Sequence, residues 1–297
     1  MEPMELSFWF VPAATVAAFA ALGVAYFAVG QRQLAMRRFV DAMMVFVTIG
    51  LIFLASFLAN LVASYFFSSY SAPQPLRDGP PPLAPPEGAD VRWAWSRIGW
   101  ASDTYYYVFN RSFAWIFSYS VDAAILGMSF PNLADYLRSI TFWESWAMTI
   151  TAYTALALSW FCKALLFLQP WLLSFGAALA VSGPMKRLGG ALLAIYLVMG
   201  AAMVYGAALV YSSISNTEFP DISPVEEQSS AWNLVSKPFQ DALKVLQNDF
   251  TPRYERAAKT AVWATVVMSL TIALSSLLTS SISSSLGGLP TALRPIG

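Results

Sequence analysis

Between residues 170 and 209 the chain carries two apolar pieces of unequal length hinged on a charged corner, PWLLSFGAALAVSGPMKRLGGALLAIYLVMGAAMVYGAAL. The first piece, residues 171–181, makes about 17 Å of helix at about 1.5 Å per residue. A hydrocarbon core is about 30 Å thick, so this piece reads as a half-membrane helix. The second piece, residues 188–212, is long enough to cross. Pro170 suits the first turn of a helix, and Gly183 followed by Pro184 suits a stop. Gly189 and Gly190 open the next helix without side chains and complete the expected structural corner. Adjacent cations beside a span stay cytoplasmic, so Lys186 and Arg187 orient everything else.

Composition sets the class. Of 297 residues, 57% are hydrophobic and 11% charged, against about 25% charged in soluble domains. The expected fold is all-α, a single polytopic helical membrane domain. The 17 basic and 17 acidic residues cancel, which argues against a general affinity for nucleic acid. The sequence has no histidine and one cysteine, Cys162, so the commonest general base is missing and an internal disulfide is impossible. Cys162 lies in an apolar run, where a small buried side chain is the expected role. The chain has no Walker loop, HExxH, GxSxG or CxxC pattern. No enzyme activity, metal or cofactor is expected.

Taken in order, residues 8–29 form a first span, acidic before and arginine-bearing after, with the N-terminus outside. Its alanines and Gly23 permit close helix packing. A second span covers 39–67, with Asp41 near Arg37 and Arg38 as a local ion pair. Residues 71–90 hold seven prolines and read as an extended external strut. Residues 91–141 are dense in aromatics, which suits helices on or dipping into the outer leaflet. Residues 112–130 could cross on length alone, but Asp122 near their middle costs about 2.5–3.5 kcal/mol. A third span covers 142–168, with Lys163 snorkelling inward. The half helix, the corner and the fourth span follow. Residues 216–251 begin acidic and contain an external amphipathic helix. The fifth span, 261–284, has a polar face in Ser276, Ser280 and Ser284, whose hydroxyls bond along the helix or across to a neighbour. Gly287 and Gly288 are expected to end it, leaving the C-terminus cytoplasmic.

In this five-span arrangement Arg32, Arg37, Arg38, Lys163, Lys186 and Arg187 share the inner side. They form either a basic collar or a set of topology signals. An even number of crossings would reverse the corner, and five is preferred because it gathers these cations inside.

The corner and the C-terminal region resemble the TrbL-like polytopic membrane subunits of conjugation and type IV secretion machines, more narrowly their archaeal Ced-type DNA-import relatives. The matching pieces are GAALAVSGPMKRLGGALL from Gly176, and LTIALSSLL from Leu270 running to Leu286, Gly287 and Gly288. The proline-rich strut and the aromatics after it depart from the pattern. The resemblance implies a passive channel or scaffold subunit through which single-stranded DNA passes transiently. It also implies a separate cytoplasmic ATPase and small pilin-like membrane proteins as partners. Beyond membrane lipid, a homo-oligomer is expected, because five helices leave little room for a DNA-wide path. Two other classes compete: a small-solute secondary transporter, which would show matching interrupted helices in two halves, and a structural membrane anchor of a secretion or pilus complex.

Overall fold

The computed structural model describes residues 3–67, 73–76, 78–83, 91–181, 183–216, 244 and 251–292. Most of the expected amphipathic segment 216–251 and parts of the strut lie outside them, as does Arg294. The described elements are helical: α1 (Pro3–Ala28), α2 (Arg32–Phe67), α3 (Val91–Ser96), α4 (Ile98–Ser129), α5 (Pro131–Ile140), α6 (Phe142–Val181), a 3-10 turn at Gly183–Met185, α7 (Lys186–Asn216) and α8 (Thr251–Ala292). Among the described residues, four stretches are long and apolar enough to cross a membrane: Phe10–Ala28, Phe142–Val181, Lys186–Ser215 and Tyr254–Ser284. The expected second span, 39–67, lies within α2, whose side chains beyond Leu54 are largely outside the described set. The chain is therefore an all-helical polytopic membrane protein.

Two expectations about helix ends need correcting. Pro170 does not start a half helix; α6 runs through it as one helix of 40 residues, about 60 Å long. A proline in a membrane helix removes one backbone bond, and neighbouring hydroxyls can re-satisfy the freed groups. The carbonyl that Pro170 leaves without its helical donor is that of Leu166, one turn earlier; one turn later the Ser174 hydroxyl donates to the Pro170 carbonyl at 2.9 Å. Gly287 and Gly288 do not end α8 either, which continues to Ala292.

The α6–α7 hairpin explains why the corner is rich in glycine. A Cβ on Gly176 would stand 2.8 Å from Leu193 Cδ2, and one on Gly189 would collide with the backbone nitrogen of Ala180. The helices leave the turn with their backbones in contact. Because these pairs lie at matching distances from the corner, the stretch of α6 alongside 188–212 runs from about 157 to 181. The expected half helix is the inner part of that stretch, and residues 142–156 extend further outward.

α4 is the largest departure. Its aromatics were expected at the lipid interface, yet Trp95, just before it, and Tyr105 and Trp115 within it are fully buried. α4 packs along α6 in the opposite direction: Ser102 meets Ser159 at 3.1 Å, and Trp115 shares an apolar cluster with Met148. On α7 the Trp95 indole donates to the Tyr196 carbonyl at 3.0 Å, and the Tyr105 hydroxyl donates to that of Met203 at 3.2 Å. α8 completes the bundle, with Thr151 and Thr265 hydroxyls 2.7 Å apart and Thr271 pressed on Gly206. The strut is strapped to this bundle rather than standing free. The Leu76 amide donates to the Tyr211 hydroxyl at 3.0 Å, the Trp100 indole to the Pro81 carbonyl at 2.7 Å, and Arg111 pairs with Asp78 at 3.2 Å. The first two contacts satisfy backbone groups that an irregular segment beside a bundle would otherwise leave without partners.

Two apolar clusters stack along the bundle. The larger holds Trp95, Leu173, Ala177, Leu193 and Tyr196 at the corner end. The smaller holds Trp115, Leu126, Leu137, Met148, Tyr254 and Ala257 beyond the far end of α7.

Candidate functional site

Lys186 and Arg187 open α7 immediately after the 3-10 turn, beside the exposed Pro184, Met185 and Leu188. Gly189 and Gly190 follow, both buried in the hairpin. This unit is cationic at its tip and closed by backbone contact behind it. Arg32, Arg37 and Arg38 lie at the start of α2, after a turn in which Gly30 takes φ +83°, a conformation that favours glycine. Arg32 and Arg37 are exposed. Arg38 pairs with the buried Asp41 at 3.3 Å, one turn along, as the spacing suggests.

Lys163 does not belong with these cations. With α6 unbroken through Pro170, it stands about 27 Å along the helix from Val181, and its ammonium lies 5.7 Å from the centre of the Tyr106 ring. The expectation that it shares the depth of Lys186 depended on a helix break that does not occur. Without Lys163, the cations available for a collar reduce to the corner pair and the α2 arginines.

The serine face of α8 is also placed differently from a channel lining. Ser276, Ser280 and Ser284 are all exposed on the bundle exterior. Ser280 donates to the Leu277 carbonyl at 2.8 Å and Ser284 to that of Ser281 at 3.1 Å. Among the described residues the bundle centre is filled by Trp95, Trp115, Tyr105, Tyr196, Tyr211 and Tyr254. Cys162 is buried, as its apolar context implied.

Sequence reasoning missed two groups. Gly200 and Gly206 of α7 form the floor on which Trp95 and Tyr105 seat. A Cβ on Gly200 would lie 2.8 Å from Trp95, and one on Gly206 would lie 2.9 Å from the Tyr105 hydroxyl. The second is the partner of Asp122, a residue that sequence alone weighs only as a cost: the buried carboxylate accepts a 2.7 Å hydrogen bond from Tyr254 of α8. A span crossing a bilayer would carry that carboxylate at a high cost. In the far cluster it is instead a polar tie between α4 and α8, through a Tyr254 ring that Trp115 and Tyr119 meet edge-on.

The class that this architecture defines is a polytopic membrane protein built on a tight, cation-tipped helical hairpin. Compared with known proteins, the chain matches no protein-family model, no curated protein and no solved structure.

Proposed function

We propose that the chain is a membrane subunit of a conjugation-like DNA-import apparatus, a channel or scaffold past which single-stranded DNA moves with energy from a separate ATPase. The observation that carries this reading is the corner. The Gly, Pro and Arg pattern that resembles the TrbL-like subunits is also the part of the chain whose backbones touch, Gly189 against Ala180, with Lys186 and Arg187 at the tip. A tip of this kind suits a polyanion or an ATPase docking at the inner membrane face. Because the bundle centre is filled, the proposed DNA path runs between copies, or between this chain and the small pilin-like partners that the resemblance implies.

The small-solute carrier reading loses its one interrupted helix, since α6 is continuous. A structural anchor is the second reading, and the packed interior favours it. The two separate on a double substitution, Lys186→Gln with Arg187→Gln, at matched expression and orientation. Contacts to phosphate act through counterion release and are steeply salt-dependent. The import reading therefore expects DNA uptake to fall by about tenfold or more while the complex still assembles. Wild-type uptake would leave the anchor reading.

A further inference from the structure

The outward face of α6 carries an aromatic seam. Trp143, Trp146, Tyr153, Trp160, Phe167 and Trp171 are each between 43% and 76% exposed. Ile150, Ala157 and Ala164, also exposed, occupy the intervening positions, so the series advances by alternating steps of three and four over its whole length. That is a period of 3.5, the signature of a helix that winds against a partner helix. The outer face of any helix packed on one side recurs at steps of three and four; what is particular to α6 is that the alternation is strict from Trp143 to Trp171 and that six of its positions are aromatic.

Lipid does not cover all of this seam. The charged corner bounds the hydrocarbon on one side, and a core of about 30 Å measured from there ends near residue 161. Tyr153 stands about 42 Å from Val181 along the helix and Trp143 about 57 Å. The neighbouring helices at that level carry exposed ion pairs, Lys259 with Glu255 at 2.7 Å and Arg138 with Asp135 at 3.4 Å, as suits an aqueous boundary. Large exposed aromatics beside water and outside lipid mark a surface for another protein.

We infer that the α6 seam is the contact between two copies of this chain, packed parallel about a twofold axis. Copies inserted in one membrane share orientation, so a twofold pair brings each seam against its own equivalent. Lys163 is the one charged residue beside the aromatic run past Glu144, so the seam carries no charge pattern that would select a different partner. Ala157 and Ala164 leave room on either side of Trp160 for the opposing ring. At the inner end an open apolar hollow of about 440 Å³ is lined by Phe167, Trp171, Phe175 and Leu192, with room for apolar side chains of a partner. The six aromatics offer roughly 700–800 Å² per copy at 150–250 Å² for a whole ring side chain. Twice that lies within the about 1,200–2,000 Å² of stable interfaces.

Cross-linking in native membranes tests this in the full chain, in a Cys162→Ala background. Single cysteines at Ile150 and Ala157 should give a disulfide-linked species of twice the chain mass under mild oxidation. A cysteine at Val262, exposed on α8, should give little. Equal yields at all three sites, no product at 150 and 157, or a product with a different mass would overturn the proposal. Independently, Trp146→Ala with Tyr153→Ala, both on the surface, should shift native mass spectra from dimer to monomer at unchanged helical content. A persistent dimer would count against the seam.

Discussion

Gly189→Leu should lower the stability of the purified protein by about 3 kcal/mol or more, the upper end of what overpacking costs. The added side chain has no rotamer that helps, because the collision begins at Cβ. That atom would overlap the Ala180 nitrogen, with Ala180 Cα at 2.6 Å and the Gly176 carbonyl oxygen at 2.7 Å. Backbone atoms of a hairpin yield only if the whole hairpin opens. The apparent melting temperature in detergent should fall by on the order of 5–10 °C. Gly99→Ala is the matched control, since its Cβ would meet nothing within 4 Å, and it should stay within about 0.5 kcal/mol of wild type. Equal behaviour of the two variants would mean that the corner is looser than described.

Trp95→Ala should cost about 3–5 kcal/mol, the range for removing a fully buried aromatic. Three contacts are lost together. The ring is stacked on Tyr196 at 5.2 Å, its nitrogen bonds the Tyr196 carbonyl, and its edge fills the space over Gly200. Gly200→Leu attacks the same joint from α7 and should produce a comparable loss. The double variant should fall short of the sum, because both changes break one contact. Thermal unfolding of the four proteins measures this, and strict additivity would contradict a shared joint.

The difference between what was legible and what was not has a physical origin. The corner was readable because glycine, proline and paired cations each have a local meaning, and the hairpin uses all of them. Asp41 was readable because its partner lies three residues away. Pro170 misled because a helix-start rule drawn from soluble proteins weakens in a membrane helix, where the loss of one backbone bond at a proline does not end the helix. That error moved the third span outward and put Lys163 at the wrong depth. The aromatics of 91–141 misled because density alone does not separate an interface from a core. Trp95 and Tyr105 are core because Gly200 and Gly206, a hundred residues away, leave sockets for them. The α6 seam was present as a 3.5-residue period, but in an apolar run any stripe is a stripe of apolar residues. Only the exposure of these rings in the folded bundle distinguishes it.

Every statement of depth, and the proposed roles of both the cationic tip and the α6 seam, rests on the corner lying at the inner membrane face. Maleimide labelling in intact cells tests that directly. In a Cys162→Ala background, a cysteine at the exposed Met185 should resist a membrane-impermeant reagent until the cells are opened. A cysteine at the exposed Gln74 of the strut should react from outside. Reaction of position 185 in intact cells would contradict the account, reversing the hairpin and with it the inner face to which Lys186 and Arg187 are assigned.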